Sequence, residues 1–395
     1  MSIDGALNFA DLQRLAKRKL PRIIFDFVEG GVDDERCLAR NRAAFDEYTL
    51  VPRCLVDVSK RSQAVELFGQ RFDSPFGISP MGLAGLVHPG ADLKLARAAA
   101  AANVPYLMSN ASNASIEAAA KLAPDNAWFQ VYATADERIN GDMVRRARDL
   151  ALRTLVVTVD VPVNSNRERN RRNGFSRPPK MTSSVIFEAL LHPAWVLNFI
   201  RTGGIPMMEN WAPYAPAGAR TETVADLYGT LTPAPSMTWN KLDAIRSLWP
   251  GNLVIKGILD CADAVRAVDA GANGIIVSNH GGRQLDAAPS PIEVLPALKA
   301  AVGDRAELIL DSGVRRGSDI LIAIALGARM VLFGRPWLYG AAAGGERGIA
   351  RAMDIMRREV DLVMGQSGCI SLAPSNSCKM AASNKAQSRP LRLAG

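Results

Sequence analysis

Short apolar and β-branched runs recur along this chain, and most are followed by a stretch in which apolar residues return at helical spacing. Read as strands, the runs are Pro75 to Pro80, Pro105 to Ser109, Ala127 to Tyr132, Leu155 to Asp160, Leu253 to Lys256, Gly274 to Ser278, Glu307 to Asp311 and Met330 to Phe333. Between them, Asp92 to Ala102, Ile116 to Leu122 and Cys261 to Asp269 are rich in alanine, leucine and arginine, as amphipathic helices require. Eight strand-helix alternations predict an α/β fold, a (β/α)8 TIM barrel over about residues 75–365, rather than an open doubly wound sheet.

Two segments fall outside the repeat. Residues 8–45 read as a helical N-terminal cap that covers the barrel bottom or reaches its rim. The gap from Asp160 to Leu253 is far longer than one helix. Its part from about 176 to 237, rich in Pro, Gly, Ser and Thr, predicts an insertion after strand four, with the strand-four helix resuming near Trp239. A tail follows from about residue 370, and the whole reads as a single domain.

Composition narrows the class. With 48% hydrophobic and 22% charged residues in 395, the chain is globular with a sizeable core. Cys37, Cys54, Cys261, Cys369 and Cys378 show no CxxC spacing, so neither a metal site nor a disulfide framework is expected, and a reducing compartment is. No apolar region or cleavage site of a signal peptide is read at the N-terminus, so a cytoplasmic protein is expected. A net charge of +8 suits an anionic partner: a carboxylate substrate, a phosphate-bearing cofactor or an acidic membrane surface. Nucleic acid is excluded as a partner, because the arginines are dispersed and no basic helix or stacking-aromatic motif accompanies them.

Candidate chemistry gathers at the strand ends. Ser109, Gln130, Tyr132, Thr158, Asp160, Lys256, Ser278, His280, Asp311 and Arg335 lie at or just past C-terminal ends, where barrel enzymes build their sites. His280 and Arg283, three residues apart on glycine-softened backbone, pair a base with a fixed cation that can hold a carboxylate. Asp311-Ser312-Gly313-Val314-Arg315-Arg316-Gly317 and Phe333-Gly334-Arg335 follow strands seven and eight, the usual barrel phosphate site. Lys256, at the end of strand five, needs an anionic partner if it points inward.

The segment Ser278-Asn279-His280-Gly281-Gly282-Arg283-Gln284-Leu285-Asp286 closely resembles the active-site run of the FMN-dependent 2-hydroxy-acid dehydrogenases and oxidases. The resemblance extends from about Phe9 to about Gly365, with the phosphate, lysine and His-Arg motifs in order. It implies FMN as cofactor and oxidation of an (S)-2-hydroxy acid to the 2-oxo acid. His280 would take the substrate proton, from carbon or from the hydroxyl, and Asp160 would stabilise the imidazolium. Arg283 and Arg167 would bind the carboxylate, and Tyr132 the substrate oxygen. For the flavin it implies Arg315, Gly334 and Arg335 at the phosphate, and Lys256, Gln130, Thr158 and Ser109 along the ring. The backbone of Pro80, Met81 and Gly82 would pack against the ring, with Ser278 and Asp311 nearby.

Two departures and one further likeness bear on substrate and setting. Phe25 stands where the resemblance calls for a carboxylate-binding Tyr, and Ala111 stands where short-chain oxidases carry a bulky Trp. Leu191-His192-Pro193-Ala194-Trp195, in the insertion, resembles the mandelate dehydrogenases of the family, so a mandelate-like substrate is favoured over a lactate-like one. Quinone or another carrier is the expected electron acceptor, with a peroxide-forming oxidase as the alternative. Non-redox use of the scaffold and a binding protein without catalysis fit less well, since His280, Arg283, Asp160 and Tyr132 are all present. A homo-oligomer is expected. Val185-Ile186-Phe187, Leu190-Leu191, Trp195-Val196-Leu197 and Phe199-Ile200 crowd apolar groups on a stretch too interrupted to span a bilayer. They predict either a lid over the barrel mouth or an interfacial anchor on the inner face of the cell membrane.

Overall fold

The computed structural model describes residues 1–175, 182–372 and 382–384. All eight expected strands form: β1 (Phe76–Ile78), β2 (Tyr106–Ser109), β3 (Ala127–Tyr132), β4 (Thr154–Thr158), β5 (Asn252–Ile258), β6 (Gly274–Val277), β7 (Glu307–Asp311) and β8 (Met330–Phe333). Each pairs in parallel with the next, and β8 pairs with β1 to close the barrel. Most barrel strand positions are buried, as parallel strands between a packed interior and an outer helix layer must be. Phe76, Phe333 and Trp337 pack ring against ring, and Phe9 of the cap lies tilted on Phe333 and edge-on to Trp337, which seats the N-terminal segment on the β8–β1 side.

The cap comprises helices at Phe9–Lys19, Arg22–Glu29 and Arg36–Ala43. Asn8 caps the first by accepting from the Asp11 N–H at 3.0 Å. The second helix reaches the rim at the C-terminal ends of the strands, since the carbonyls of Phe27, Val28 and Gly30 at its end accept from arginines of the β6 and β8 loops.

Past β4 the chain forms helices at Ser183–Leu190, Pro193–Arg201 and Thr221–Leu231, then the helix Trp239–Leu248 that leads into β5. Residues 176–181, at the start of the expected insertion, lie outside the described residues. Of the expected tail, residues 382–384 pair antiparallel with Tyr48–Leu50; the others beyond 372, Cys378 included, lie outside the described residues. Among the described residues, no helix is long and apolar enough to cross a membrane.

Candidate active site

The C-terminal ends of the strands open into a cavity whose wall includes Tyr132, Lys256, His280, Arg283, Arg315 and Arg335, with Arg167 from the segment after β4. Backbone geometry places the central imidazole. His280 takes a left-handed φ of 59°, followed by Gly281 and Gly282 at 68° and 72°. A side chain at Gly282 would press its Cβ to within 2.7 Å of the Leu38 nitrogen, so only glycine lets this loop lie against the cap. The run of positive φ turns the chain sharply at the exit of β6 and aims His280 across the barrel mouth.

There the His280 Nδ1 lies 3.0 Å from Asp160 Oδ1, and its Nε2 lies 3.3 Å from the Tyr132 hydroxyl. With a neutral ring protonated on Nδ1, the contact to Asp160 leaves Nε2 as the free base. Gly257, at φ 106° beside the β5 irregularity, makes this pairing possible: a Cβ there would fall 2.5 Å from the Asp160 side chain. Burial pulls the imidazole below its ordinary pKa of 6.5, helped by the Lys256 and Arg167 charges, although the Asp160 carboxylate pulls the other way. Burial would raise the Asp160 carboxyl, but His280 and Lys256 outweigh it and hold this group ionised below its ordinary value.

Lys256 has a partner within the protein. Its ammonium lies 3.1 Å from Asp311 Oδ2 and donates to the Ser278 hydroxyl at 2.9 Å. Ser278 and Ser79 in turn donate to the two Asp311 oxygens, each at 2.6 Å. The positive charge is thus neutralised on one side while the side chain still faces the cavity. Burial opposes the lysine's charge, but Asp311 and Asp160 hold its pKa above the ordinary value.

Arg283 donates to the carbonyls of Phe27 at 2.6 Å and Val28 at 3.3 Å, and its guanidinium lies 5.2 Å from the Phe27 ring centroid. Arg335 donates to Val28, Gly281 and Gly30 carbonyls, which ties β8, the β6 loop and the cap together. Arg315, Gly334 and Arg335 share the end of the cavity beyond β7 and β8. Pro80, Met81 and Gly82 line the wall beyond β1, with Ala111 against Gly82.

Phe25 does not reach this site. It is buried in the core beneath the cap helix, whereas Phe27 lines the cavity and stacks on Phe175 at a centroid separation of 4.6 Å. Residues two apart on a helix point about 200° apart, so Phe27 rather than Phe25 presents its ring to Arg283. The stretch from 205 onward, expected only as insertion, also contributes to the site: Met208 and Tyr228 return to wall the mouth, and Trp211 is fully buried. The apolar residues Ile205, Met207, Met208 and Trp211 were the available signal, obscured by the surrounding proline and glycine.

Behind the cavity wall lie buried polar atoms with no hydrogen-bond partner among the described residues. Both amide atoms of Gln130 and the Thr158 hydroxyl are among them. Such groups are costly to leave unpaired, and they present a donor and acceptors beside Lys256. A flavin pyrimidine edge carries the complementary set, and the arginines and Gly334 at the other end of the cavity suit a phosphate, so the residues present fit FMN. Ser109 and Ser278 are buried at the ends of β2 and β6, and their hydroxyls bond within the protein, to the Ala111 N–H and to Lys256, Asp311 and the His280 N–H.

The profile of the FMN-dependent dehydrogenase family matches residues 16–380. The chain is 42% identical to the (S)-mandelate dehydrogenase of Pseudomonas putida, over 93% of this chain and 92% of that one. It is 40% identical to a putative L-lactate dehydrogenase of Mycobacterium tuberculosis, over 94% and 88%. Among solved structures it superposes on one described as the monotopic membrane protein (S)-mandelate dehydrogenase, with a TM-score of 0.92, 40% identity and coverage of 96% of this chain and 100% of that one. With the barrel and the His-Asp pair in place, the chain belongs to the FMN-dependent dehydrogenase family and is an FMN-dependent 2-hydroxy-acid oxidoreductase.

Proposed function

We propose that the protein oxidises an (S)-2-hydroxy acid with a bulky, aryl-type side chain to the 2-oxo acid and passes the electrons to a membrane quinone. The observation that carries the reading is the convergence on one cavity of a base backed by a carboxylate, a phenol beside that base and two arginines. Arg283, with Arg167, binds the substrate carboxylate and fixes its orientation. His280 Nε2 then takes a proton from the substrate, and Asp160 stabilises the imidazolium that forms. The Tyr132 hydroxyl hydrogen-bonds the substrate oxygen as its charge changes. Lys256, Gln130 and Thr158 would hold the ring of FMN, and Arg315, Gly334 and Arg335 its phosphate; bound FMN supplies the two-electron oxidant.

Ala111, Leu86, Met208 and Tyr228 leave an apolar room beside the base, which suits an aryl group better than a methyl. The P. putida relative's name points the same way. The helices Ser183–Leu190 and Pro193–Arg201 expose Ile186, Phe187, Leu190, Leu197 and Ile200, while Glu188 and Trp195 fasten the same helices to the cap and to the Leu86 turn. A segment fastened on one side and apolar on the other supports an interfacial anchor rather than a closed lid, and the net charge of +8 adds attraction to anionic lipid. On this reading the protein sits peripherally on the inner face of the cell membrane.

Anaerobic mixing of the yellow protein with a panel of 2-hydroxy acids tests the reading. Mandelate-type acids should bleach the flavin faster than glycolate or lactate; no bleaching by any acid overturns it. Stoichiometric peroxide in air would replace the quinone by oxygen as the acceptor.

A further inference from the structure

A second cavity lies behind the turn that walls the first. Leu86 lines both and is itself buried, so at this point the two are separated by the thickness of one side chain. The outer wall is aromatic: Trp195 and Phe199 stack with ring centroids 4.9 Å apart and planes 17° apart. The Trp195 indole N–H donates to the Leu86 carbonyl at 2.8 Å, so the helix that carries this wall is fixed to the dividing turn. Leu191 lines the cavity and is exposed, and Leu197 and Ile200 of the same helical segment face solvent beside it.

We infer that this cavity is the docking site of a lipid-borne quinone that reoxidises the reduced cofactor. The inference rests on the dehydrogenase reading above and adds where its electrons leave. A flat, apolar, two-electron acceptor fits the stacked indole and phenyl wall, reaches the mouth from lipid along exposed apolar side chains, and stops one side chain short of the flavin cavity. Overall, the hydroxy acid loses two electrons and two protons to become the 2-oxo acid, and the quinone gains two electrons and two protons to become the quinol. Protons at the quinone end come from water through His192, which lines the cavity with its Nε2 3.6 Å from Glu188 Oε1, a carboxylate in partial contact with solvent. The competing occupant is an anionic lipid headgroup, since Arg18 and Lys19 also line the cavity. Lys19, however, donates to the Ala343 carbonyl, and the aromatic wall offers a headgroup no hydrogen bond.

The test uses the FMN-loaded full-length protein and a short-chain ubiquinone. An azido-substituted analogue, activated by light, should label peptides carrying Trp195 and Phe199, and unlabelled ubiquinone should compete. Asn198→Trp and Thr202→Trp each fill the cavity from an exposed position on its wall. Both should slow reoxidation by ubiquinone at least tenfold, while reduction by hydroxy acid and reoxidation by ferricyanide stay within twofold. Labelling elsewhere, or unchanged quinone reoxidation in both variants, overturns the site and leaves the dehydrogenase reading standing. If no quinone reoxidises the wild type, the acceptor reading and the site fall together. If quinone-free anionic vesicles block the label while ubiquinone does not, the cavity is a headgroup site and the inference is wrong.

Discussion

At the scale of single residues, His280 shows how one side chain can be recognised from sequence while its chemistry is set by neighbours far along the chain. Asp160 and Tyr132 meet it from other strand ends, and burial shifts its proton equilibrium. His280→Ala should slow flavin reduction by roughly 10²- to 10⁴-fold while the protein stays yellow, measured by anaerobic stopped flow. Because burial lowers the imidazole pKa, the base remains neutral below the ordinary 6.5, and the acid limb of kcat/KM should fall at a lower pH than that. Asp160 raises the pKa, so Asp160→Asn should move this limb further toward acid as it lowers the maximum. A limb that moved toward neutral pH would contradict the pairing. Phe27 offers a gain rather than a loss: Phe27→Tyr puts a hydroxyl beside Arg283 and should lower KM by the worth of one charged hydrogen bond, about 1.5–3 kcal/mol, with little change in kcat. Phe25→Tyr should lower stability instead, since Phe25 is packed in the core.

At the scale of elements, the helices Ser183–Leu190 and Pro193–Arg201 have an attached side and an open side. Trp195 and Glu188 hold the attached side, and Phe187, Leu190 and Ile200, each more than 60% exposed, form the open one. The triple substitution Phe187→Ser, Leu190→Ser, Ile200→Ser should release the protein from anionic vesicles in a flotation assay while leaving flavin reduction within twofold of wild type. Retention on vesicles would show that these side chains do not enter lipid. Removing the whole of 182–210 is a poorer experiment, because Asn210 is buried and its side chain bonds the backbone at Ser109, Ala114 and Ile116.

At the scale of the whole molecule, the barrel is cross-braced in its interior by the Lys256–Asp311 pair, with Ser79 and Ser278 completing the Asp311 hydrogen bonds. The four residues come from the ends of β5, β7, β1 and β6, so the network ties together half of the barrel strands. Asp311→Asn leaves the lysine charge buried without its partner and should cost about 3–5 kcal/mol in a denaturation experiment. Burial alone would raise the Asp311 carboxyl, but Lys256 and the two serines hold it below its ordinary 3.8. A carboxyl depressed in the folded state contributes stability above its unfolded pKa, and that contribution drains away as pH falls through the folded one. Wild type should therefore lose more stability than Asp311→Asn between pH 5 and acid, compared by chemical denaturation at each pH.

What the sequence determined by itself was local or periodic. Eight apolar runs alternating with helical stretches specified the barrel, because strands buried on both faces must read as continuous hydrophobic runs. The barrel in turn put Gln130, Thr158, Lys256 and His280 at one end, since the strands of a parallel barrel all run the same way. Tertiary structure decided which side chains meet. The two-residue difference between Phe25 and Phe27 turns on helix rotation against the barrel rim, the return of Met208 and Tyr228 on where a long connection packs, and the Lys256–Asp311 pair on the spacing of nonadjacent strands. None of these leaves a periodic trace along the chain, because each is a contact between segments whose separation in space is set by the packing of everything between them.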